Sequence, residues 1–151
     1  MKNIFIASDH AGFELKKKLI FEICATEKYK ISDLGTDSTE SCDYPIFANR
    51  VVKKLEMYDD SYGVLICGTG IGMSITANRF PSVRAALCFD ENMAEMARKH
   101  NNANVIVFGA RIISSDMALS SLYRFLETDF EGGRHSRRLK MINELVYGGN
   151  Q

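Results

Sequence analysis

The sequence predicts an α/β protein built on a five-stranded parallel sheet with helices on both faces. Three observations carry that prediction. Short apolar runs alternate five times with longer segments of helical periodicity, the order that lays strands side by side and helices over them. The chain of 151 residues, 46% hydrophobic and 25% charged, is large enough for one real core and ordinary in its balance. It has two prolines, no low-complexity linker and no internal repeat, so one domain over residues 1–151 is expected.

The elements follow in order. Residues 3–8 (NIFIAS) read as a buried strand, and Asp9-His10-Ala11-Gly12 as the turn after it. Residues 13–25 put Phe13, Leu15, Leu19, Ile20 and Ile23 on a helical stripe, with Lys16–Lys18 turned to water. Residues 29–34 form a second strand, closed by Gly35 and a polar loop over 36–43. Tyr44-Pro45 opens a helix, with Pro in the first turn, where a missing N–H costs nothing. Its buried face is Phe47, Ala48, Val51, Val52 and Leu55. The third strand is 62–66, and the helix after it runs to about Arg79, stopped by Pro81. Residues 83–88 are the fourth strand. Asp90 then caps a helix bearing Met93, Ala94, Met96 and Ala97, which ends near residues 99–101. Residues 104–108 are the fifth strand, followed by a helix over 115–126. A polar loop spans 127–136, and a last helix over 137–147 carries Leu139, Ile142, Leu145 and Val146.

In such a sheet a ligand site lies beyond the carboxyl ends of the strands. The unusual residues fall there: Asp9 and His10 after strand one, Cys67 and Thr69 after strand three, Arg111 after strand five. The loop Cys67-Gly68-Thr69-Gly70-Ile71-Gly72 is the centre of the pattern. Three glycines in five positions leave few side chains between the backbone N–H groups and a ligand. Several amides turning into a helix can hold an anion. A thiol beside them gives up its proton more easily than a free one. The loop thus offers a base, a hydroxyl and an oxyanion hole. The loop alone fits three readings: a packed strand–helix turn, a generic anion site, or catalysis. It matches neither G-x-G-x-x-G nor G-x-x-x-x-G-K-[ST].

Other classes are disfavoured. A formal net charge of zero gives nucleic acid no electrostatic support, and no apolar run approaches a membrane span. The N-terminus does not read as a signal peptide. Cys24, Cys42, Cys67 and Cys88 show no C-x-x-C pairing or zinc spacing, which suits reduced thiols in the cytoplasm. Cys24, Cys42 and Cys88 are assigned to packing or surface. The three histidines, His10, His100 and His135, lie on no apolar stripe, and their spacing shows no metal site. Arg134 and Arg138, four apart at the start of the last helix, can face one anionic ligand, with Arg137 and His135 beside them.

Seven segments carry a resemblance: S-D-H-A-G (8–12), D-Y-P (43–45), C-G-T-G-I-G (67–72), A-N-R (77–79), H-N-x-x-N-V (100–105), F-G-A-R (108–111) and E-G-G-R-H-x-x-R (131–138). In this order, over nearly the whole chain, they closely resemble the ribose-5-phosphate isomerase B family, within the wider group that includes allose- and galactose-6-phosphate isomerases. The resemblance implies a three-layer, Rossmann-like α/β/α sandwich. It also implies a homodimer, often a dimer of dimers, with active sites at the subunit interface and the C-terminal helix packed there. It implies cofactor-free and metal-free interconversion of ribose 5-phosphate and ribulose 5-phosphate through an enediolate, in the pentose phosphate pathway.

Residue by residue, the resemblance makes Cys67 the base and Thr69 its helper in proton transfer between the oxygens. The amides of Gly68, Gly70, Ile71 and Gly72 would hold the enediolate. His100, with Asp9 as a partner, would open the furanose ring, and Asn101 and Tyr44 would contact the sugar. His10, Arg134 and Arg138 would take the phosphate, with Arg111 close by. One branch of the family replaces the cysteine with a Glu shortly after the glycine loop. Here Cys67 is present and Met73-Ser74 offers no carboxylate, which favours the thiol. The galactose-6-phosphate enzymes divide the residue set between two different subunits, whereas this chain carries the whole set. The competing readings are a hexose-6-phosphate (allose or galactose) isomerase and a non-catalytic module that binds a phosphosugar or nucleotide.

Overall fold

In the computed structural model, residues 1–148 are described, and 149–151 lie outside the described residues. The strands are β1 (Lys2–Ser8), β2 (Tyr29–Asp33), β3 (Ser61–Cys67), β4 (Ala85–Leu87) and β5 (Val105–Gly109). They form one sheet in the order β2-β1-β3-β5-β4, with every neighbouring pair parallel. The helices are α1 (Phe13–Cys24), α2 (Tyr44–Leu55), α3 (Ile71–Ala77), α4 (Glu91–Asn101), α5 (Ser115–Glu127) and α6 (Arg134–Tyr147).

The period-2 alternation of strand side chains sorts the core into two layers. Ile4, Ile6, Val64, Ile66, Ile106 and Phe108 face α1, α4 and α5. Phe5, Ala7, Leu65, Cys67, Val105 and Val107 face α2 and α3. The chain leaves β1 toward β2 through α1 on one face and returns to β3 through α2 on the other. Strand order therefore reverses between β1 and β3, the place where open α/β sheets form a ligand crevice. The loops that open there begin with Asp9 and with Gly68.

Three expectations are corrected. Lys16 is fully buried instead of facing water. Its ammonium reaches the end of β2, where it donates to Asp33 Oδ2 at 2.7 Å and to the Thr36 carbonyl at 2.7 Å. A buried cation is tolerable when paired and hydrogen-bonded in this way. Asp33→Ala would leave that charge a single carbonyl. Urea denaturation should show a loss of about 1–3 kcal/mol. Part of that loss should be recovered when Lys16→Met is added, because an apolar isostere removes the stranded charge.

The second correction concerns the last helix, which begins at Arg134 and not at residue 137. Gly132 and Gly133, at φ +69° and +58°, turn the chain sharply enough to start it earlier. The third is that β4 spans only Ala85–Leu87. Flanking it, the Arg84 amide donates to the Asn104 side chain at 2.8 Å instead of to a strand neighbour.

Candidate functional site

Cys67 ends β3, pointing into the α2/α3 layer, and is buried. The next residues turn back over their own strand end. The Gly70 amide donates to Cys67 Sγ at 3.2 Å, and the Ile71 amide donates to Thr69 Oγ1 at 3.3 Å. Gly70 adopts φ +79°, and a Cβ there would lie 2.4 Å from Leu87 Cδ1 and 3.0 Å from the Phe108 carbonyl carbon, so only glycine serves. Among the described residues the amides of Gly68, Thr69 and Gly72 make no such bond, which leaves three donors without a partner in the loop that follows the sulfur. An amide aimed at a sulfur is the partner a thiolate requires. The other buried thiol, Cys88, lies outside this loop, and burial, reinforced by Asp90, pushes it up to about 12, so it stays protonated.

Several expected residues surround this loop. Arg111 lies directly over it, with Nη1 2.6 Å from where a Gly68 Cβ would stand. The Tyr44 ring, at the first residue of α2, covers Gly72, with Cζ 2.4 Å from the corresponding point. Asp9 is buried after β1 and accepts from the Gly12 amide at 3.2 Å, which holds the turn into α1. His10 Nδ1 accepts from the Cys42 amide at 3.2 Å, with Cys42 Sγ at 3.9 Å. An amide can only donate, so the ring hydrogen sits on Nε2, which is left as a donor. Sequence reasoning had given Cys42 no role. Its contribution is a backbone N–H, which no side-chain pattern signals.

The remaining expected residues form a second group elsewhere. α4 runs antiparallel to the strands, so His100 and Asn101 lie near the amino end of β5, while Cys67 pairs with Gly109 at its carboxyl end. The five residues from Val105 to Gly109 span on the order of 13 Å. Asp9 and His100 are therefore not brought together within one chain. Arg134 and Arg138 are exposed on the first turns of α6, on the His100 side. The His100 and His135 rings stack with centroids 4.3 Å apart and planes 14° apart. Glu131 Oε2 lies 3.6 Å from His135 Nε2 and 4.0 Å from His100 Nε2. The spacing had shown no such convergence, because the 34 residues between the two histidines are closed up by the fold. Burial pushes the His135 imidazole below its ordinary range, and His100 and Arg134 push it the same way against Glu131.

Against known families, residues 4–142 match the model described as Ribose/Galactose Isomerase. This chain belongs to the ribose/galactose isomerase family. Within that family it is 37% identical to the ribose-5-phosphate isomerase B of Escherichia coli K12, over 96% of this chain and 97% of that one. A Rickettsia conorii relative, 46% identical over 93% of this chain and 96% of its own, carries only a provisional name, that of a sugar phosphate isomerase. Among solved structures, the ribose 5-phosphate isomerase of Thermotoga maritima superposes with a TM-score of 0.92 at 47% identity, covering 95% of this chain and 98% of that one. The Mycoplasma genitalium ribose-5-phosphate isomerase B, solved with bound ribulose 5-phosphate, gives 0.89 at 41% identity, covering 95% of each chain.

The family explains the α/β architecture with its five-stranded, all-parallel sheet. Among the described residues, no helix is long and apolar enough to cross a membrane.

Proposed function

We propose that this protein is an aldose–ketose isomerase interconverting ribose 5-phosphate and ribulose 5-phosphate, without a metal, through an enediolate. The observation that carries this reading is Cys67 Sγ at a strand end, bonded by one amide of its own loop and flanked by others left unbonded. A proton α to a carbonyl is weakly acidic, so its removal needs a base and stabilisation of the oxyanion that develops. The Cys67 thiolate takes the C2 proton, the electron pair moves into the enediolate, and the same sulfur returns the proton to C1. Thr69 Oγ1 passes the hydroxyl proton between the two oxygens. The amides of Gly68 and Gly72, which make no bond of their own, stabilise the charge, while those of Gly70 and Ile71 hold the sulfur and the Thr69 hydroxyl. His10 Nε2–H, Arg134 and Arg138 hold the phosphate, with Arg111 over the loop, and Tyr44 and Asn101 meet the sugar. Phosphate binding holds the substrate in reacting geometry.

The two groups of residues lie at opposite ends of one chain, so the reading further requires a homodimer, or a dimer of dimers. In it, His100, Asn101, Arg134 and Arg138 complete the neighbour's Cys67 site, and His100 meets the neighbour's Asp9. The surface supports this arrangement. α6 exposes Met141, Ile142, Leu145 and Val146, beside a groove of about 420 Å³ that includes Ala85, Asn101, Leu139 and Ile142. A helix with so much unpartnered apolar surface calls for a partner.

The test is turnover of ribose 5-phosphate in the presence of a chelator, followed by complementation. Cys67→Ala and His100→Ala, each deficient alone, are unfolded together and refolded as a mixture. Half of the dimers would be mixed, each with one of two sites intact, so about a quarter of wild-type activity should return. No recovery above the two parents would defeat the shared site. The family description also names galactose, so a hexose 6-phosphate is the second substrate to assay. Turnover of that sugar alone would move the assignment to a hexose-phosphate isomerase.

A further inference from the structure

We infer that His135 is a positioning residue, which holds the His100 imidazole by stacking and shares the single carboxylate of Glu131 with it. The inference deepens the reading above and rests on His100 opening the sugar ring. Three elements converge to build the arrangement. The Glu131 amide donates to the Lys99 carbonyl at 3.1 Å, which ties the loop to the residue before His100. The His135 amide donates to the Gly132 carbonyl at 3.1 Å, within the turn whose positive φ angles start α6. His135 is 7% exposed, whereas the His100 side chain is 39% exposed. One ring is thus a buried platform, and the other lies on it with an edge open to a ligand.

The stack argues against reading the cluster as a metal centre. His100, Glu131 and His135 do bring one ligand atom each within 4.8 Å of the others. A metal, however, must lie in the plane of each imidazole that binds it. Rings 14° from parallel and 4.3 Å apart present their lone pairs side by side instead of toward one point.

The charges around the pair explain why one ring carries the chemistry. Lys99 and His100 come from α4, Glu131 from the loop, and Arg134 and Arg138 from α6. Two stacked imidazolium ions would repel each other beside Arg134 and Arg138, with the Glu131 carboxylate to offset them, since Lys99 is paired with Glu95. His135 therefore stays neutral while the exposed His100 exchanges protons with its ligand. The depressed protonation of His135 agrees with this division of labour.

The experiment compares turnover from the two sides of the reaction in His135→Ala and His135→Phe. Ribose 5-phosphate is a ring in solution. Ribulose 5-phosphate cannot close a furanose ring, because its O5 carries the phosphate. Losing the platform in His135→Ala should slow turnover from the aldose about 10- to 100-fold. Turnover from the ketose should stay within about threefold of wild type. His135→Phe keeps a flat partner and should recover most of the aldose rate. A general loss of packing would slow both directions alike, and that result, or no change, would overturn the inference.

Proton NMR supplies an arm independent of turnover and of whether His135→Ala folds. The His135 titration midpoint should rise in His100→Gln, which removes a like charge, and fall in Glu131→Gln, which removes the carboxylate. A midpoint indifferent to both would also overturn the inference. His100→Ala, assayed in parallel, separates the two claims. If it slows aldose and ketose equally, the ring-opening reading fails, while the NMR arm still decides whether the two rings are coupled.

Discussion

Cys67→Ala is expected to lose about 10²- to 10⁴-fold in the turnover of ribose 5-phosphate, the scale of a missing general base, while the protein remains folded. The substitution removes one sulfur from the α2/α3 layer, where Cys67 packs with Phe5, Leu65 and Met73. It also frees the Gly70 amide from its 3.2 Å contact. Neither loss is large in a core of this size, and circular dichroism with urea titration should find the native state intact. Cys67→Ser is the sharper variant. A serine hydroxyl still accepts from Gly70, so the loop keeps its shape, but it holds its proton far more tightly than a thiol. If the sulfur acts as a base, Ser should be nearly as poor as Ala. If it only anchors the loop, Ser should be nearly as good as wild type, and the proposed mechanism would be wrong. Cys88→Ala is the matched control, because its thiol stays protonated to about pH 12 and should leave the rate unchanged.

The sheet was legible because each strand is a short apolar run set off by turn residues, a pattern that survives without knowledge of its neighbours. The carboxyl-edge half of the site was legible for the same reason: once β1, β3 and β5 are parallel, Asp9, Cys67 and Arg111 must emerge on one edge. What escaped depends on distant contacts. Lys16 sits in a run of three lysines that reads as a solvated face, and only Asp33 and the Thr36 carbonyl, across a crossover, make its burial tolerable. His100 and His135 are separated by all of β5 and α5, and their stacking follows from where α4 ends and α6 begins. A signal for the second partner was present, since Glu131 and His135 are four apart within E-G-G-R-H. It could not be read while that segment was taken as loop. The exposed α6 stripe makes a related point. Periodicity identifies an apolar face, but not whether that face is buried within its own chain.

Gly109→Ala should lower turnover about 100-fold with little change in apparent affinity for the substrate. The argument is geometric. A Cβ on Gly109 would stand 2.4 Å from the Thr69 carbonyl oxygen and 2.5 Å from its carbon. Both neighbours are backbone, so no side chain can swing away, and the loop itself has to move. It cannot move freely, because the segment after β5 is laced to it. The Ala110 amide donates to the Cys67 carbonyl at 2.8 Å, and the Arg111 amide to the Gly68 carbonyl at 3.0 Å. The strain should cost about 1–3 kcal/mol of stability. It should also displace Thr69 and its neighbouring amides by a fraction of an ångström to an ångström. Shifts of that size carry penalties near 100-fold when charge must develop against fixed donors. Affinity should hold because His10, Arg134 and Arg138, the proposed phosphate ligands, lie on other elements. Gly68→Ala provides the contrast: the added methyl meets the far end of the Arg111 side chain, which can rotate aside. Its effect should fall on affinity through Arg111 more than on turnover. If steady-state kinetics instead show Gly109→Ala turning over at the wild-type rate, the placement of the loop amides does not govern the reaction, and the stabilisation of the enediolate must be sought elsewhere in the site.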